Sequence, residues 1–197
     1  QCCKPFVEYR ERDRRDLFTR RRLASASCLG RAGYTGQCSQ LSHTEIKSRI
    51  RASNDDAEEF VSGSKHVYLT SSDLEMVMDE DQALARSGSA QQIVGLRFQS
   101  MDLPPSANVT SARIGFTVDE ISANQTCSLL IRGHAVDDSP AFDLSPGTIS
   151  ARPTTSASVR WSAEPWLQLG ANASSADVAP IVQELVNRAG WRRGNSL

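Results

Sequence analysis

The sequence predicts a mainly β fold, an antiparallel β-sandwich with one amphipathic helix near its C-terminal end. Two observations predict the sheets: apolar and polar residues alternate over Gln91–Phe98 and again over Val109–Glu120, and a proline turn at Leu103–Ser106 separates the two stretches. Alternation with a period of two is typical of half-buried antiparallel strands. A third observation predicts the helix, because apolar residues recur with a helical period from Val178 onward.

The first 53 residues differ in charge from the rest of the chain. Residues 1–53 hold twelve Lys and Arg against five Asp and Glu, a net charge of +7. Residues 54–197 hold ten against eighteen, a net charge of -8. Such a split indicates two units with different roles. We expect 1–53 to be an irregular basic extension and 54–197 to be the sandwich. Within the extension, i,i+4 pairs such as Glu8/Arg12 make Pro5–Leu23 compatible with a short helix.

Cysteine placement follows the same division. Four of the five cysteines lie in the first 38 residues, and Cys127 stands in the predicted β region. Four cysteines in a short segment with little apolar core predict disulfide cross-links, with three alternative connectivities. The odd total leaves one thiol free, bonded to another chain, or paired with a cysteine outside this stretch of sequence; a buried strand thiol is the simplest interpretation of Cys127. The disulfide candidates are Cys2, Cys3, Cys28 and Cys38.

The residue pattern over 54–197 predicts a series of strands joined by loops. The predicted strands span 67–69, 74–78, 91–98, 109–120, 128–135, 157–161 and 166–169. A helix is predicted over 177–189, with Asp177 as its N-cap and Gly190 as its stop. Its apolar face holds Val178, Ile181, Val182, Leu185 and Val186. A single helix after a series of strands predicts a lid packed across a sandwich.

Three Asn-X-Ser/Thr triplets predict a secreted glycoprotein. They begin at Asn108, Asn124 and Asn172, each in a stretch predicted to be an exposed loop. The chain has no apolar run near 18 residues, so we expect no membrane span. Since no signal peptide is visible either, a secreted protein would be present here as a mature form or as part of a longer chain.

Catalytic and nucleic-acid signatures are absent from the sequence. The three histidines are scattered, and no Gly-x-Ser-x-Gly, His-Glu-x-x-His or phosphate-loop pattern occurs. We therefore predict that the protein is not an enzyme. Arg14–Arg22 offers positive charge, but the body of the chain is acidic, so nucleic acid is not an expected partner.

Seven stretches of residues 55–197 together form a recognisable pattern: Asp56–Glu59, Ser71–Glu75, Val94–Phe98, Ile114–Glu120, Leu130–Gly133, Ile149–Pro153 and Ile181–Asn195. They resemble a recurring extracellular module, the DNRLRE-like, disaggregatase-related jelly-roll β-sandwich. The resemblance implies a jelly-roll-like topology and a place in multidomain surface proteins, some of which bind acidic polysaccharides such as alginate. Members usually continue after the Gly-Asn-Ala-Leu position with one or two more strands. The resemblance thus implies that strands beyond Gly194–Leu197 are cleaved, disordered or supplied by another chain.

Two sets of side chains are candidates for ligand binding. Asp56 and Glu58 stand two apart, so on a strand both carboxylates face one way, as a Ca²⁺ site requires. Related sugar-binding sandwiches hold a structural calcium at an acidic pair in this place, although solvated surface acids explain the pair as well. Trp161 and Trp166 flank a proline turn and form either a sugar-stacking platform or part of the core.

We therefore predict a non-catalytic structural subunit of an extracellular assembly, such as a surface coat, wall or filament glycoprotein. Its expected partners are other protein chains, with glycans as further ligands. The alternative function is an independent carbohydrate-binding module for acidic polysaccharide.

Overall fold

A computed structural model of the protein describes residues 16–22, 43–71, 74–76, 91–119, 121 and 126–197. In these ranges the fold is mainly β, with nine strands followed by one helix. The elements are β1 Asp16–Arg22, β2 His43–Arg49, β3 Asp56–Phe60, β4 Val67–Tyr68, β5 Gln92–Leu96, β6 Asn108–Thr117, β7 Cys127–His134, β8 Thr154–Ala163, β9 Asn172–Ser174 and α1 Ala179–Val186.

The described strands form three antiparallel sheets. A four-stranded sheet has the order β2-β1-β6-β9, a three-stranded sheet has the order β4-β3-β5, and β7 and β8 form a pair. In these sheets Ile114 lies opposite Leu17, Val94 opposite Glu58, and Trp161 opposite Leu129. The predicted mainly β fold with one C-terminal helix is confirmed.

The core lies between the sheets and beneath the helix. One buried cluster joins the apolar face of α1 to Trp191, Leu103 and the inner residues of β6. A second cluster surrounds Phe116 and includes Trp161 and Trp166. Partly buried residues such as Ile114 pack against both clusters, so the two form one continuous core.

Helix α1 packs as predicted but is shorter than the predicted span of 177–189. All five residues of its predicted apolar face are buried. Val178, not Asp177, is the N-cap, and the helix ends at Val186 rather than at Gly190. Asp177 Oδ1 instead accepts the N–H groups of Ala179 and Ala112, each at 2.9 Å, and so ties the start of the helix to β6.

The loop over residues 137–152 covers the outer face of β3 and β5. The carboxylate of Glu59, which is fully buried, accepts the backbone N–H of Ile149 at 2.7 Å and of Ser150 at 3.0 Å. Gly95 leaves room for the ring of Phe142, since a Cβ there would lie 2.5 Å from the ring. These contacts hold the loop against the sheet.

Four predictions of secondary structure are wrong. Residues 16–22 form a strand rather than part of a helix, and 43–49 are extended rather than irregular. Pairing of β1 with both β2 and β6 outweighs the few tenths of a kcal/mol that each i,i+4 charge pair offers. The described part of 74–78, namely 74–76, and residues 166–169 are not strands. The apolar residues Leu74, Met76 and Trp166 lie in loops and are nevertheless buried. Their apolar pattern therefore reflects burial in the core and not strand pairing.

Two glycosylation triplets also lie in strands instead of loops. Asn108 is the first residue of β6 and Asn172 the first of β9. Both side chains are exposed because each points to the outer face of its strand. Asn124 and the four disulfide candidates Cys2, Cys3, Cys28 and Cys38 lie outside the described residues.

Candidate functional site

A cavity of about 550 Å³ lies between β5 and β7. We call it the β5–β7 slot. Its walls include the consecutive residues 92–96 of β5 and 128–134 of β7. Successive residues of a strand point to opposite faces of its sheet, so a cavity lined by all of them runs along the edges of both strands.

One wall of the slot is the edge of β5 that lies opposite to its edge with β3. Arg97 N–H donates to Asp55 O at 2.6 Å, and Val61 N–H donates to Gln91 O at 2.9 Å. In an antiparallel pair, hydrogen-bonded and non-hydrogen-bonded residue pairs alternate, so the backbone groups of Val94 and Leu96 point away from β3. Among the described residues no other strand pairs with β5. These N–H and C=O groups therefore face the slot.

The opposite wall is the corresponding edge of β7. Ala135 N–H donates to Pro153 O at 2.8 Å, and Gly133 N–H donates to Thr155 Oγ1 at 3.0 Å. The N–H groups of Gly133 and Ala135 thus face β8, next to the register shift between Arg132 and His134. Within the described ranges β7 pairs with β8 alone.

The floor of the slot is apolar and belongs to the core. It is formed by side chains of β6, β8 and α1, including Ile114, Phe116, Trp161, Ile181 and Leu185. The inward residues Val94, Leu96, Leu129 and Ile131 pack on the core but are only partly buried. On the rim, Ile93 is 37% and Leu130 47% exposed. Among the described residues the fold is therefore open along a line between the two edges.

Leu197 lies at one end of the slot, already in β geometry. Its N–H donates to Phe98 O and its carbonyl accepts Phe98 N–H, both at 3.1 Å. Reciprocal bonds of this kind define an antiparallel pair. Phe98 continues the series of β5 residues that face the slot. A strand in the register of Leu197 would next pair with Leu96 and then with Val94.

A buried ion pair holds this end of the slot together. Asp55, at 0% exposure, accepts Arg97 Nη1 at 2.6 Å and Gln99 Nε2 at 2.5 Å. Arg97 also donates to Ser139 O at 2.6 Å and to Ser196 Oγ at 3.0 Å. The pair thus joins β3, β5, the outer loop and the residue next to Leu197.

A polar cluster lies at this same end of the slot, around Ser139, which also accepts Arg97 Nε. His134 Nδ1 lies 3.0 Å from Ser139 Oγ and 3.3 Å from Arg152 Nη1. Burial, followed by the charges of Arg152 and Arg188, lowers the pKa of His134 from 6.5 to about 4, so the ring is neutral at pH 7. Arg152 also donates to the carbonyls of Thr148, Pro140 and Ala141. Because its donors are engaged in this way, Arg152 anchors the outer loop.

The two predicted ligand-binding tryptophans are both buried. Trp161 and Trp166 are each 7% exposed, so neither presents its ring to solvent at the proline turn. The ring of Phe116 stacks on Trp161 with centroids 5.5 Å apart and lies 5.9 Å from that of Trp166. Core packing, the alternative left open by the sequence, accounts for both side chains.

The predicted calcium pair lies on β3. Glu58 is buried and Asp56 is partly buried, so this pair is not simply solvated surface. Glu58 Oε1 accepts Glu75 N–H at 2.6 Å and Gln92 Nε2 at 3.3 Å, which fixes the 74–76 segment on the sheet. In the described ranges no group of three or more His, Cys, Asp or Glu side chains is arranged to hold a metal ion. Calcium binding by the pair stays a prediction.

The slot itself could not be located from the sequence. Alternation over 91–98 and 128–135 shows which side chains point inward, but both edges of a strand carry the same side-chain pattern. Cys127 is the first residue of β7, one residue before the predicted strand, and its buried thiol packs in the cluster around Phe116.

Comparison of the chain with family models, with curated proteins and with solved structures finds no match. Among the described residues, no helix has the length and apolar character needed to cross a membrane.

Proposed function

We propose that this protein is a non-catalytic structural module of an extracellular assembly, in which neighbouring chains associate at the β5–β7 slot. The observation that carries this proposal is a pair of strand edges, on β5 and β7, that face one apolar cavity and have no strand partner among the described residues. An exposed edge presents rows of N–H and C=O groups that pair readily with another chain, so proteins usually protect their edges.

Protection of this kind is weak on β5. Charged side chains, proline and bulges are the common devices that prevent edge pairing. Gln92–Leu96 contains no charged residue and no proline, and its register with β3 has no bulge. An edge without such protection, set over an apolar floor, favours association over catalysis.

The finer parts of the proposal are a jelly-roll-like topology, an extracellular location and glycosylation. Support for the topology comes from the resemblance to the DNRLRE-like module together with the mainly β fold and its C-terminal helix. The exposed side chains of Asn108 and Asn172 support glycan attachment, since a bulky glycan requires an unobstructed surface. Neither asparagine lines the slot.

Light scattering over a range of protein concentrations tests the proposal. We expect an average mass above that of the monomer as the concentration rises. Leu130→Lys places a charge on the rim of the slot and should weaken this association at least tenfold. Leu167→Lys is the matched control, because Leu167 is 60% exposed and does not line the slot. A monomer at every concentration, or equal effects of the two substitutions, would contradict the proposal.

A further inference from the structure

We infer that the outer loop, residues 137–152, is an acid-sensitive strap that loosens from the rest of the fold when the ring of His134 takes up a proton. The inference goes beyond the proposed function and does not depend on association at the slot. Histidine is the side chain that ordinarily changes its charge between pH 5 and 8, and its surroundings can move this change.

The first feature that carries the inference is the hydrogen bonding of His134 Nδ1. This atom lies 3.0 Å from Ser139 Oγ and 3.3 Å from Arg152 Nη1. A guanidinium can only donate hydrogen bonds, so its contact with Nδ1 requires a lone pair on that nitrogen. A proton on Nδ1 would turn the acceptor into a donor and place a second positive charge beside the guanidinium. The contact would then be repulsive.

The second feature is that Arg152 is bonded to the outer loop itself. Its guanidinium lies 4.2 Å from the centre of the Phe142 ring. The guanidinium and the loop therefore form one unit, and a repulsion that displaces Arg152 from His134 acts on the loop as a whole. The loop carbonyls that accept from Arg152 are those of Thr148 at 2.6 Å, Pro140 at 2.9 Å and Ala141 at 3.0 Å.

The third feature is the positive charge around the ring. Burial is the largest cause that lowers the pKa of His134 from 6.5 to about 4, and the charges of Arg152 and Arg188 follow. The guanidinium of Arg97 reaches the same cluster, since its Nε donates to Ser139 O at 2.6 Å. A loosened loop returns the ring to water, where its usual pKa applies. Protons therefore favour the loosened form.

Carboxylates on and beside the outer loop bind groups other than His134. The backbone N–H of Ser145 is the largest cause that lowers the pKa of Asp143. Since acid also protonates carboxylates, the experiment must separate their effect from that of His134. The contacts are Asp137 with Arg188 at 2.7 Å, Asp55 with Arg97 at 2.6 Å, Asp138 with Ser196 N–H at 2.7 Å, Asp143 with Ser145 N–H at 2.8 Å, and Glu59 with the N–H groups of Ile149 and Ser150 at 2.7 Å and 3.0 Å.

The two pKa values of His134 set the largest effect that its protonation can have. The pKa is about 4 with the loop in place and 6.5 when the ring is in water, so the closed form binds fewer protons between these values. Closure is complete above pH 6.5 and weakens as the pH falls toward 4. From pH 7 to pH 4 the ratio of loosened to closed loop should rise by at most about a hundredfold, and by at least about tenfold after allowance for partial exposure.

Hydrogen–deuterium exchange on the full chain at pH 7, 6, 5 and 4, with the intrinsic rate at each pH divided out, tests the inference. The reporter is Phe142 N–H, which donates to Asn54 O at 2.9 Å and so joins the loop to the residues before β3. Its acceptor is a backbone carbonyl that does not titrate. Its protection should fall from below pH 6.5, above the range in which ordinary carboxylates take up protons. Val178 N–H, which donates to Ala112 O at 2.8 Å, should keep its protection.

Two asparagine substitutions separate His134 from the carboxylates. His134→Asn places a carbonyl oxygen near the position of Nδ1, so it keeps an acceptor for Arg152 and takes up no proton in this range. It should largely abolish the fall in protection at Phe142. His66→Asn is the matched control, because His66 is exposed directly before β4, and it should leave the fall unchanged.

Four outcomes would overturn the inference. The first is equal protection of Phe142 at pH 7 and pH 4, and the second is a fall confined to pH values below 5, which would assign it to carboxylates. The third is an equal fall in the unaltered chain and in His134→Asn. The fourth is a matching loss of protection at Val178, which would show that the whole fold opens and not the loop alone. The first two outcomes need no variant, so they decide the matter even when His134→Asn does not fold.

Discussion

Replacing Asp55 with alanine should destabilise the protein by about 3–5 kcal/mol, because it removes one partner of a buried ion pair. The carboxylate is fully buried, and the side chain of its partner Arg97 is 15% exposed. The substitution also removes the acceptor for Gln99 Nε2 and for the backbone N–H of Ala52, which lie 2.5 Å and 3.2 Å from Asp55 Oδ2. Since ordinary domains are stable by only about 5–15 kcal/mol, the loss should be large.

Urea unfolding followed by tryptophan fluorescence measures this loss, because all three tryptophans are buried. The matched control is Asp102→Ala, which breaks the exposed pair of Asp102 with Arg193 at 3.1 Å. Exposed pairs contribute roughly 0–1 kcal/mol, so the control should change little. A loss below about 1 kcal/mol for Asp55→Ala, or one equal to that of the control, would refute the assignment of Asp55 as the anchor of this end of the slot.

Three further predictions concern the core, the outer loop and pH. Gly133→Ala should cost about 1–3 kcal/mol by overpacking, since its Cβ would lie 2.7 Å from Ile181 Cγ2 of α1; an unchanged urea midpoint would contradict this close packing. Glu59→Ala leaves two N–H groups of the outer loop without their acceptor. We expect a loss on the order of 3 kcal/mol and faster exchange at those two amides, and unaltered exchange would count against the role of Glu59. The pKa of His134 in the folded protein, about 4, lies below its usual 6.5, so the folded state binds fewer protons than the unfolded state between these values. The free energy of unfolding should be highest above pH 6.5 and fall toward pH 4, by on the order of 1 kcal/mol after allowance for partial exposure. Thermal melts of His134→Gln should lack this dependence on pH. An equal dependence in both proteins would exclude His134 as its source.

Sequence alternation alone predicted the strands that became β5, β6, β7 and β8, although not their ends. In each of them side chains alternate between the core and the outside, and this alternation is a property of one strand considered by itself. The apolar face of α1 was predicted for the same reason, because burial on one side of a helix leaves a 3.6-residue period in the chain.

Tertiary structure decided which segments pair and which edges stay open. Asp16–Arg22 carries charges spaced for a helix, yet it lies between β2 and β6 as a strand. Leu74 and Trp166 belong to stretches with the apolar pattern of strands, yet both residues lie in loops and are buried there. The open slot arises because β5 pairs with β3 and β7 pairs with β8. Side-chain alternation specifies the face of a strand, but the neighbour on each edge depends on contacts between residues far apart in the chain, and these form only when the whole sandwich packs.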